Sequence, residues 1–138
     1  MIHRRSIEFS TNAREQLLDL TDEVSRLVGE SGMRDGLVHV YARGATAAVM
    51  IQENWDRSVP EDAVELLASL IPRGVWQHDL QDGNGDAHLK AGLVGPSETV
   101  PVVGGTLALS TWQGIFFCEF DGPRERREVL CTVIGEGR

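Results

Sequence analysis

The sequence predicts an α+β domain with a largely antiparallel β-sheet and two to three helices. Strand-like runs dominate the C-terminal third and recur in the N-terminal half, and helical patterns lie among them without the regular alternation of a doubly wound fold. The chain has 138 residues, the length of one ordinary domain that folds without disulfide bonds. We therefore expect a single domain over residues 1–138.

The N-terminal part of the chain predicts two strands and a helix. Polarity alternates loosely over residues 6–10 and 15–20, on either side of the turn-prone pair Thr11-Asn12, which indicates a pair of strands. Thr21 is typical of a helix N-cap, and acidic residues follow it in the first turn. Apolar residues at helical spacing predict a helix that ends before Gly32; they are Val24, Leu27 and Val28.

Two more strands are expected after this helix. Asp35-Gly36 is a turn signal, and the stretches 37–42 and 46–52 are rich in β-branched and apolar residues. Arg43-Gly44 separates them.

The clearest helix covers residues 61–71. Pro60 suits its first turn, Pro72 ends it, and one face is apolar, consisting of Val64, Leu67, Leu70 and Ile71. Residues 77–86 lack apolar periodicity and predict a loop, and a short helix follows over 87–94.

The C-terminal third predicts a β meander. Its strand-like runs cover residues 99–103, 106–113, 115–120 and 128–134. The expected breaks between them are Gly104-Gly105, Gly114 and Asp121-Gly122-Pro123.

Composition narrows the class of protein. The formal net charge is −8, which disfavours a phosphate backbone as partner, and no apolar run approaches the ~20 residues of a membrane span. We expect a cytoplasmic protein that binds neither nucleic acid nor membranes. Cys118 and Cys131 lie in apolar strands and are expected to be reduced core residues, although a hairpin could bring them close enough for a disulfide.

The predicted loop is the densest group of residues that can titrate or bind a metal. His78, Asp79, Asp82, Asn84 and Asp86 precede His88 within eleven positions. Two imidazoles with carboxylates can bind a divalent metal ion or exchange protons with a substrate. The alternative is a solvated acidic loop in which Asp86 caps the next helix.

Two further groups of polar residues follow strands. Thr46 begins a strand that ends in Gln52 and Glu53, and Trp112-Gln113 ends another. Such groups often line a cleft, but Glu53 is equally consistent with an exposed strand end and Trp112 with core packing. Phosphate-loop, GxSxG, HExxH and CxxC patterns do not occur in the sequence.

A series of short motifs runs from Asp82 to Arg127: Asn84, Asp86-Ala87-His88-Leu89-Lys90, Gly95-x-Ser97, Val100-Pro101-Val102, Thr111-Trp112-Gln113 and Glu119-x-Asp121-Gly122-Pro123-Arg124. In this order and spacing, the segment resembles the YjbQ-like family, also called the secondary thiamine-phosphate synthase family. A weaker match upstream extends it over nearly the whole chain. Two positions depart: the family typically has a histidine that begins an HTTA or HTSA motif, where this chain has Gly44, and a glycine before Thr111, where this chain has Ser110.

The resemblance implies a YjbQ-like α+β fold, a homotrimer and a secondary activity that joins hydroxymethylpyrimidine diphosphate to a thiazole phosphate with release of pyrophosphate. A divalent metal ion is the expected cofactor, with His78 and His88 as its ligands. The expected catalytic residues are His88, His78, Asp86 and Glu53. The expected substrate-binding residues are Thr46, Asn84, Lys90, Trp112 and Gln113. Because of Gly44, the alternative is a non-catalytic trimer that binds a small phosphorylated or anionic metabolite.

Overall fold

The computed structural model describes residues 1–137, which form eight strands, three α-helices and one short 3-10 helix. The strands are β1 (Ile2–Phe9), β2 (Gln16–Asp19), β3 (Met33–Ala42), β4 (Ala47–Glu53), β5 (Ser97–Val103), β6 (Thr106–Leu107), β7 (Gln113–Glu119) and β8 (Arg127–Gly137). The helices are α1 (Thr21–Ser31), α2 (Ser58–Leu70), the 3-10 helix Gln77–Leu80 and α3 (Gly85–Val94). The predicted α+β class, with antiparallel strands and two to three helices, is confirmed.

The strands form two sheets that pack face to face. The larger has the order β1-β8-β3-β5-β6 and the smaller the order β2-β7-β4. Apolar side chains from both sheets and from α1 share one core, which includes Val38, Val49, Phe117 and Val133. The other face of the smaller sheet packs against α2 and α3 through Leu67, Ala87, Ala91 and Phe120. The smaller sheet thus forms a middle layer and carries α3 on its outer side.

The predicted pairing of strands was wrong at both ends of the chain. β1 and β2 do not pair with each other, because β1 pairs with β8 and β2 pairs with β7. The C-terminal strands do not form a meander, since β7 crosses to the smaller sheet between β2 and β4. Gly114 lies inside β7 rather than at a break. Pairing between strands distant in sequence depends on tertiary burial, which local pattern does not encode.

The predicted turn at Asp35-Gly36 is also wrong, because β3 runs through it with a shift of register between Met33 and Asp35. Gly36 instead faces Gly135 on β8, and a Cβ atom on Gly36 would lie 2.0 Å from the carbonyl oxygen of Ile134. Glycine is therefore required here for close approach of two backbones.

Helix boundaries differ from the predictions in informative ways. Leu20, not Thr21, is the N-cap of α1, and the Thr21 hydroxyl accepts a hydrogen bond from the Ile115 N–H at 2.9 Å. α2 begins three residues earlier than expected, and Leu70 is exposed rather than part of its buried face. α3 begins at Gly85, so Asp86 lies inside it.

Both cysteines are buried and free, as expected. Cys131 lies in the core between the sheets, whereas Cys118 faces the helices. Burial raises the pKa of each thiol to about 12. Within residues 1–137, no helix is long and apolar enough to cross a membrane.

Candidate functional site

The fold brings the two predicted site histidines together. His78 lies in the 3-10 helix and His88 in α3, and their rings meet edge to face with centroids 4.8 Å apart. Nine residues of intervening chain turn back on themselves between them. The two imidazoles therefore form one local group, as the density of polar residues in this segment predicted.

A backbone carbonyl fixes the orientation of His88. Nδ1 of His88 lies 3.1 Å from the carbonyl oxygen of Ala45, in the connection between β3 and β4. A carbonyl oxygen can only accept a hydrogen bond, so Nδ1 carries the proton. In the neutral ring this leaves the lone pair on Nε2, where it can accept a proton or bind a metal ion.

Asp79 ties the segment that carries His78 to the start of α3. Its carboxylate accepts hydrogen bonds from the N–H of Trp76 at 3.0 Å and of Gly85 at 2.8 Å. These two bonds lower the pKa of Asp79. The indole N–H of Trp76 donates to the carbonyl oxygen of Pro72 at 2.7 Å, which anchors the same segment to the end of α2. A Cβ on Gly85 would lie 2.8 Å from Cβ of Trp76, so glycine is needed at this crossing.

A hollow of about 500 Å³ opens beside the two imidazoles. It is lined by Trp76, Gln77, His78, Gly85, His88 and Leu89. Nε2 of His78 lies 3.4 Å from a carboxylate oxygen of Asp82, but the geometry is too poor for a hydrogen bond. The hollow combines an aromatic wall, an apolar wall and two titratable rings, which is the usual make-up of a small-molecule site.

Asp86 and Lys90 lie on the opposite side of α3, sealed from solvent. Residues two apart on a helix project in roughly opposite directions, so neither side chain accompanies His88. Asp86 accepts two hydrogen bonds from Arg14, at 3.1 and 3.2 Å, and one from Lys90 at 2.9 Å, and Lys90 also donates to Glu15 at 3.1 Å. The predicted catalytic role of Asp86 does not match this geometry, because its carboxylate is buried on the side of α3 away from His88 and the carbonyl of Ala45 orients that ring. Substrate contact by Lys90 does not match either, because Lys90 is 0% exposed.

Burial opposes ionisation of Asp86, but hydrogen bonds and charge from Arg14 and Lys90 outweigh it, so the pKa of Asp86 lies below its usual value. The four charges of Arg14, Glu15, Asp86 and Lys90 attach α3 to the connection between β1 and β2. This ion cluster positions the helix that presents His88.

Thr46 and Asn84 belong to a neighbouring polar network rather than to the wall of the hollow. The Thr46 hydroxyl accepts a hydrogen bond from Arg127 at 2.9 Å, and Arg127 also pairs with the buried Glu119. The side-chain amide of Asn84 donates to Asp121 at 2.9 Å. Thr46 thus holds the connection that contains Ala45, and Asn84 holds the start of α3; both segments adjoin His88.

Glu53, Trp112 and Gln113 lie at the far end of the smaller sheet. Glu53 pairs with Gln113 at the end of β4, whereas Ala47 begins that strand beside the site. The six steps along the strand from Ala47 to Glu53 span about 20 Å, too far for one small molecule to touch both ends. Trp112 stacks edge to face on Trp55, which is 77% exposed, with ring centroids 5.5 Å apart. Within residues 1–137, the structure does not bring these three residues to the histidines.

A family model described as UPF0047 protein YjbQ-like matches residues 5–136. The chain belongs to this YjbQ-like family. A UPF0047 protein of Methanocaldococcus jannaschii is 44% identical over 129 residues, which are 94% of this chain and 92% of the relative. A UPF0047 protein of Archaeoglobus fulgidus is 49% identical over 90% of this chain and 96% of the relative. The names of these relatives give the family and state no biochemical function.

Solved structures of YjbQ-like proteins share the fold. The crystal structure of a YjbQ-like protein of unknown function from Sulfolobus solfataricus has a TM-score of 0.95 at 34% identity and covers 99% of both chains. A hypothetical protein from Aeropyrum pernix has a TM-score of 0.92 at 41% identity, over 97% of this chain and 99% of that one. The predicted family and fold are thus confirmed.

In this YjbQ-like chain, sequence reasoning missed two contributors to the site, Trp76 and the carbonyl of Ala45. Trp76 immediately precedes the polar segment, and an aromatic residue in that place was a usable signal. The Ala45 carbonyl left no signal, because it is a backbone group that reaches His88 only through folding. Asp79 lies within the predicted polar group, but its hydrogen bonds to the N–H groups of Trp76 and Gly85 were not predicted.

Proposed function

We propose that this protein is a transferase of the thiamine-phosphate synthase type, with its reaction centre at His78 and His88. The observation that carries the proposal is the pairing of these imidazoles, 4.8 Å apart, in the wall of a hollow of about 500 Å³. The hollow has room for a pyrimidine ring against Trp76. The type of reaction is taken from the family resemblance, and the geometry of the hollow supports the assignment of His78 and His88 as its reacting groups.

The proposed reaction forms a bond between the thiazole nitrogen and the methylene carbon of the pyrimidine, while the carbon–oxygen bond to diphosphate breaks and diphosphate leaves with the bonding electrons. Negative charge therefore grows on the departing oxygen. A protonated imidazole can donate a hydrogen bond to that oxygen and stabilise it. The charge of Lys90 is paired with Asp86 and Glu15 in the buried ion cluster and does not face the hollow, so the histidines are the proposed cationic groups.

A divalent metal ion fits this site only as a partner of the substrate. Residues 1–137 contain no group of three or more His, Cys, Asp or Glu side chains arranged to hold one, whereas catalytic zinc sites use three protein ligands. His78 and His88 are the proposed protein ligands of such an ion, and they can hold it only as neutral rings, in which case the metal ion takes the place of the protonated imidazole in stabilising the departing oxygen. A Mg²⁺ ion that enters with the diphosphate would neutralise part of its charge.

Replacement of His88 by alanine tests the proposal. We expect formation of thiamine phosphate from the two phosphorylated precursors with Mg²⁺, measured by chromatography, and a rate lower by about 100-fold in His88→Ala, the usual contribution of one acid–base group. His39→Ala is the matched control, because it removes a histidine from β3 of the larger sheet, where His39 stacks on Tyr41 and does not line the hollow. An unchanged rate in His88→Ala, or an equal loss in His39→Ala, contradicts the assignment.

A second candidate function is the binding of a small phosphorylated or anionic metabolite without turnover. It is favoured by Gly44, which removes the imidazole that the family resemblance leads us to expect in the same connection as Ala45. The same precursors distinguish the two functions: a rise of melting temperature without product favours binding. Product formed only by Gly44→His favours a degenerate enzyme.

We also propose that the protein is a homotrimer. Exposed apolar side chains concentrate on α2, α3 and the segment between them, and such surfaces are typical of interfaces; they are Leu66, Leu70, Val75, Leu80, Leu89 and Leu93. Light scattering should give three times the chain mass of 15.2 kDa, and Leu70→Asp together with Leu93→Asp should reduce it to one. A wild-type protein that is monomeric at micromolar concentration refutes the trimer.

A further inference from the structure

Gly44 leaves one nitrogen of a buried arginine next to open space. Arg127 is only 7% exposed, and its Nε and Nη2 atoms donate to Glu119 and Thr46. Its remaining nitrogen, Nη1, donates to no acceptor within residues 1–137. A Cβ on Gly44 would lie 3.0 Å from Nη1, with no other atom beyond its chain neighbours within 4 Å. A ligand atom could therefore occupy the space beside Gly44 and accept a hydrogen bond from Nη1 of Arg127.

A second hollow, of about 230 Å³, adjoins this position. Small and apolar residues make up most of its wall, which consists of Gly44, Ala45, Ala47, His88, Ala91, Gly92 and Pro96. His88 is the one residue that lines both this hollow and the larger one beside Trp76. A molecule seated here would have an apolar body against α3 and one end beside Arg127.

The guanidinium of Arg127 indicates which chemical group of the ligand would lie beside it. A guanidinium is weakly hydrated and matches the oxygens of phosphate and carboxylate groups. Because Glu119 and Thr46 already hold the side chain, little conformational entropy is lost when a ligand binds. Glu119 balances the formal charge, so attraction depends on a short, directed hydrogen bond to Nη1.

We propose that Nη1 of Arg127 and the 230 Å³ hollow form a binding site for a small oxyanion, phosphate or carboxylate, carried on a short apolar body. The site does not depend on the proposed transferase reaction.

Gly44→Leu is the decisive variant, since a larger side chain covers Nη1, while its Cβ, 3.0 Å from Nη1, requires the guanidinium to move by only a few tenths of an ångström. Gly44 does not have positive φ and is exposed, so leucine is compatible with the backbone. Inorganic phosphate, acetate and phenyl phosphate are titrated separately, and binding is followed through the NMR signals of the Arg127 side chain and the Gly44 amide. We expect saturable shifts with at least one oxyanion, tighter binding of phenyl phosphate than of inorganic phosphate, and affinity weaker by about tenfold or more in Gly44→Leu.

Arg43→Met is the matched control, because Arg43 is an exposed neighbouring cation that pairs with Glu128 at 3.6 Å. Its loss should change affinity by no more than about twofold at physiological salt, where exposed charges are screened. Gly44→Leu with wild-type affinity overturns the proposal, as does binding that disappears in Arg43→Met alone. Equal affinity for phosphate and phenyl phosphate excludes the hollow as part of the site.

Discussion

Replacement of Asp86 by alanine is expected to lower the free energy of unfolding by about 3–5 kcal/mol, the usual cost of breaking a buried ion pair. Asp86 and Lys90 are both 0% exposed, and Asp86 accepts hydrogen bonds from both Arg14 and Lys90, as the less deeply buried Glu15 also does. Alanine leaves two cations with Glu15 alone. Urea unfolding followed by circular dichroism measures the loss.

Two controls separate charge imbalance from the loss of a side chain. The double variant Asp86→Ala with Lys90→Met removes one charge of each sign and should recover most of the stability, because apolar replacement of a buried pair is often nearly neutral. Asp62→Ala, at an exposed position of α2, should change stability by no more than about 0.5 kcal/mol. A double variant that is less stable than Asp86→Ala would show that ion pairing is not the cause.

The same carboxylate makes stability depend on acid pH. The pKa of Asp86 is lowered on folding, so its contribution is complete above the unfolded pKa of about 3.9 and is lost as pH falls through the folded value. The wild-type protein should lose stability steeply below about pH 4. Asp86→Ala should show a shallower dependence over that range, and parallel profiles for the two proteins would contradict the assignment.

Replacement of Arg127 by methionine is expected to cost a similar 3–5 kcal/mol, approximately, because it leaves a buried carboxylate without its cation. Glu119 is 0% exposed and accepts hydrogen bonds from Arg127, from Thr11 at 2.8 Å and from the Asp121 N–H at 3.0 Å. Burial opposes ionisation of Glu119, but these bonds hold its pKa below the usual value. Thr46, beside the site, also loses its partner. Thermal and urea unfolding measure the effect.

The adjacent arginine provides a matched control. Arg126 also pairs with a carboxylate, Glu8, at 2.6 Å, but the two side chains are 70% and 50% exposed. Exposed pairs contribute about 0–1 kcal/mol, so Arg126→Met should have little effect. Equal losses in Arg126→Met and Arg127→Met would mean that burial does not set the strength of these pairs.

Part of the candidate site could be predicted from the sequence. His78 and His88 are close because they lie in one short polar segment, and local chain reversal suffices to join them. Asp86 and Lys90 carry the right chemistry in the right segment, but helix geometry turns them inward to Arg14 and Glu15, which lie 72 and 75 positions earlier in the chain. Glu53, Trp112 and Gln113 were grouped with the histidines by composition, and the length of β4 separates them.

The sequence by itself determined the α+β class, the approximate positions of most strands and helices, and the pair of histidines, because periodicity, turn residues and local spacing encode them. Tertiary structure alone decided that the strands form two sheets, that Gly36 serves a close contact and not a turn, and that Ala45 and Asp79 orient the imidazoles. The pairing of the strands, the contact at Gly36 and the hydrogen bond of Ala45 join groups that are far apart in sequence, whereas Asp79 acts within one short segment whose fold the local pattern did not give. The local sequence does not specify such contacts, because they form only when the two hydrophobic cores are buried in the folded chain.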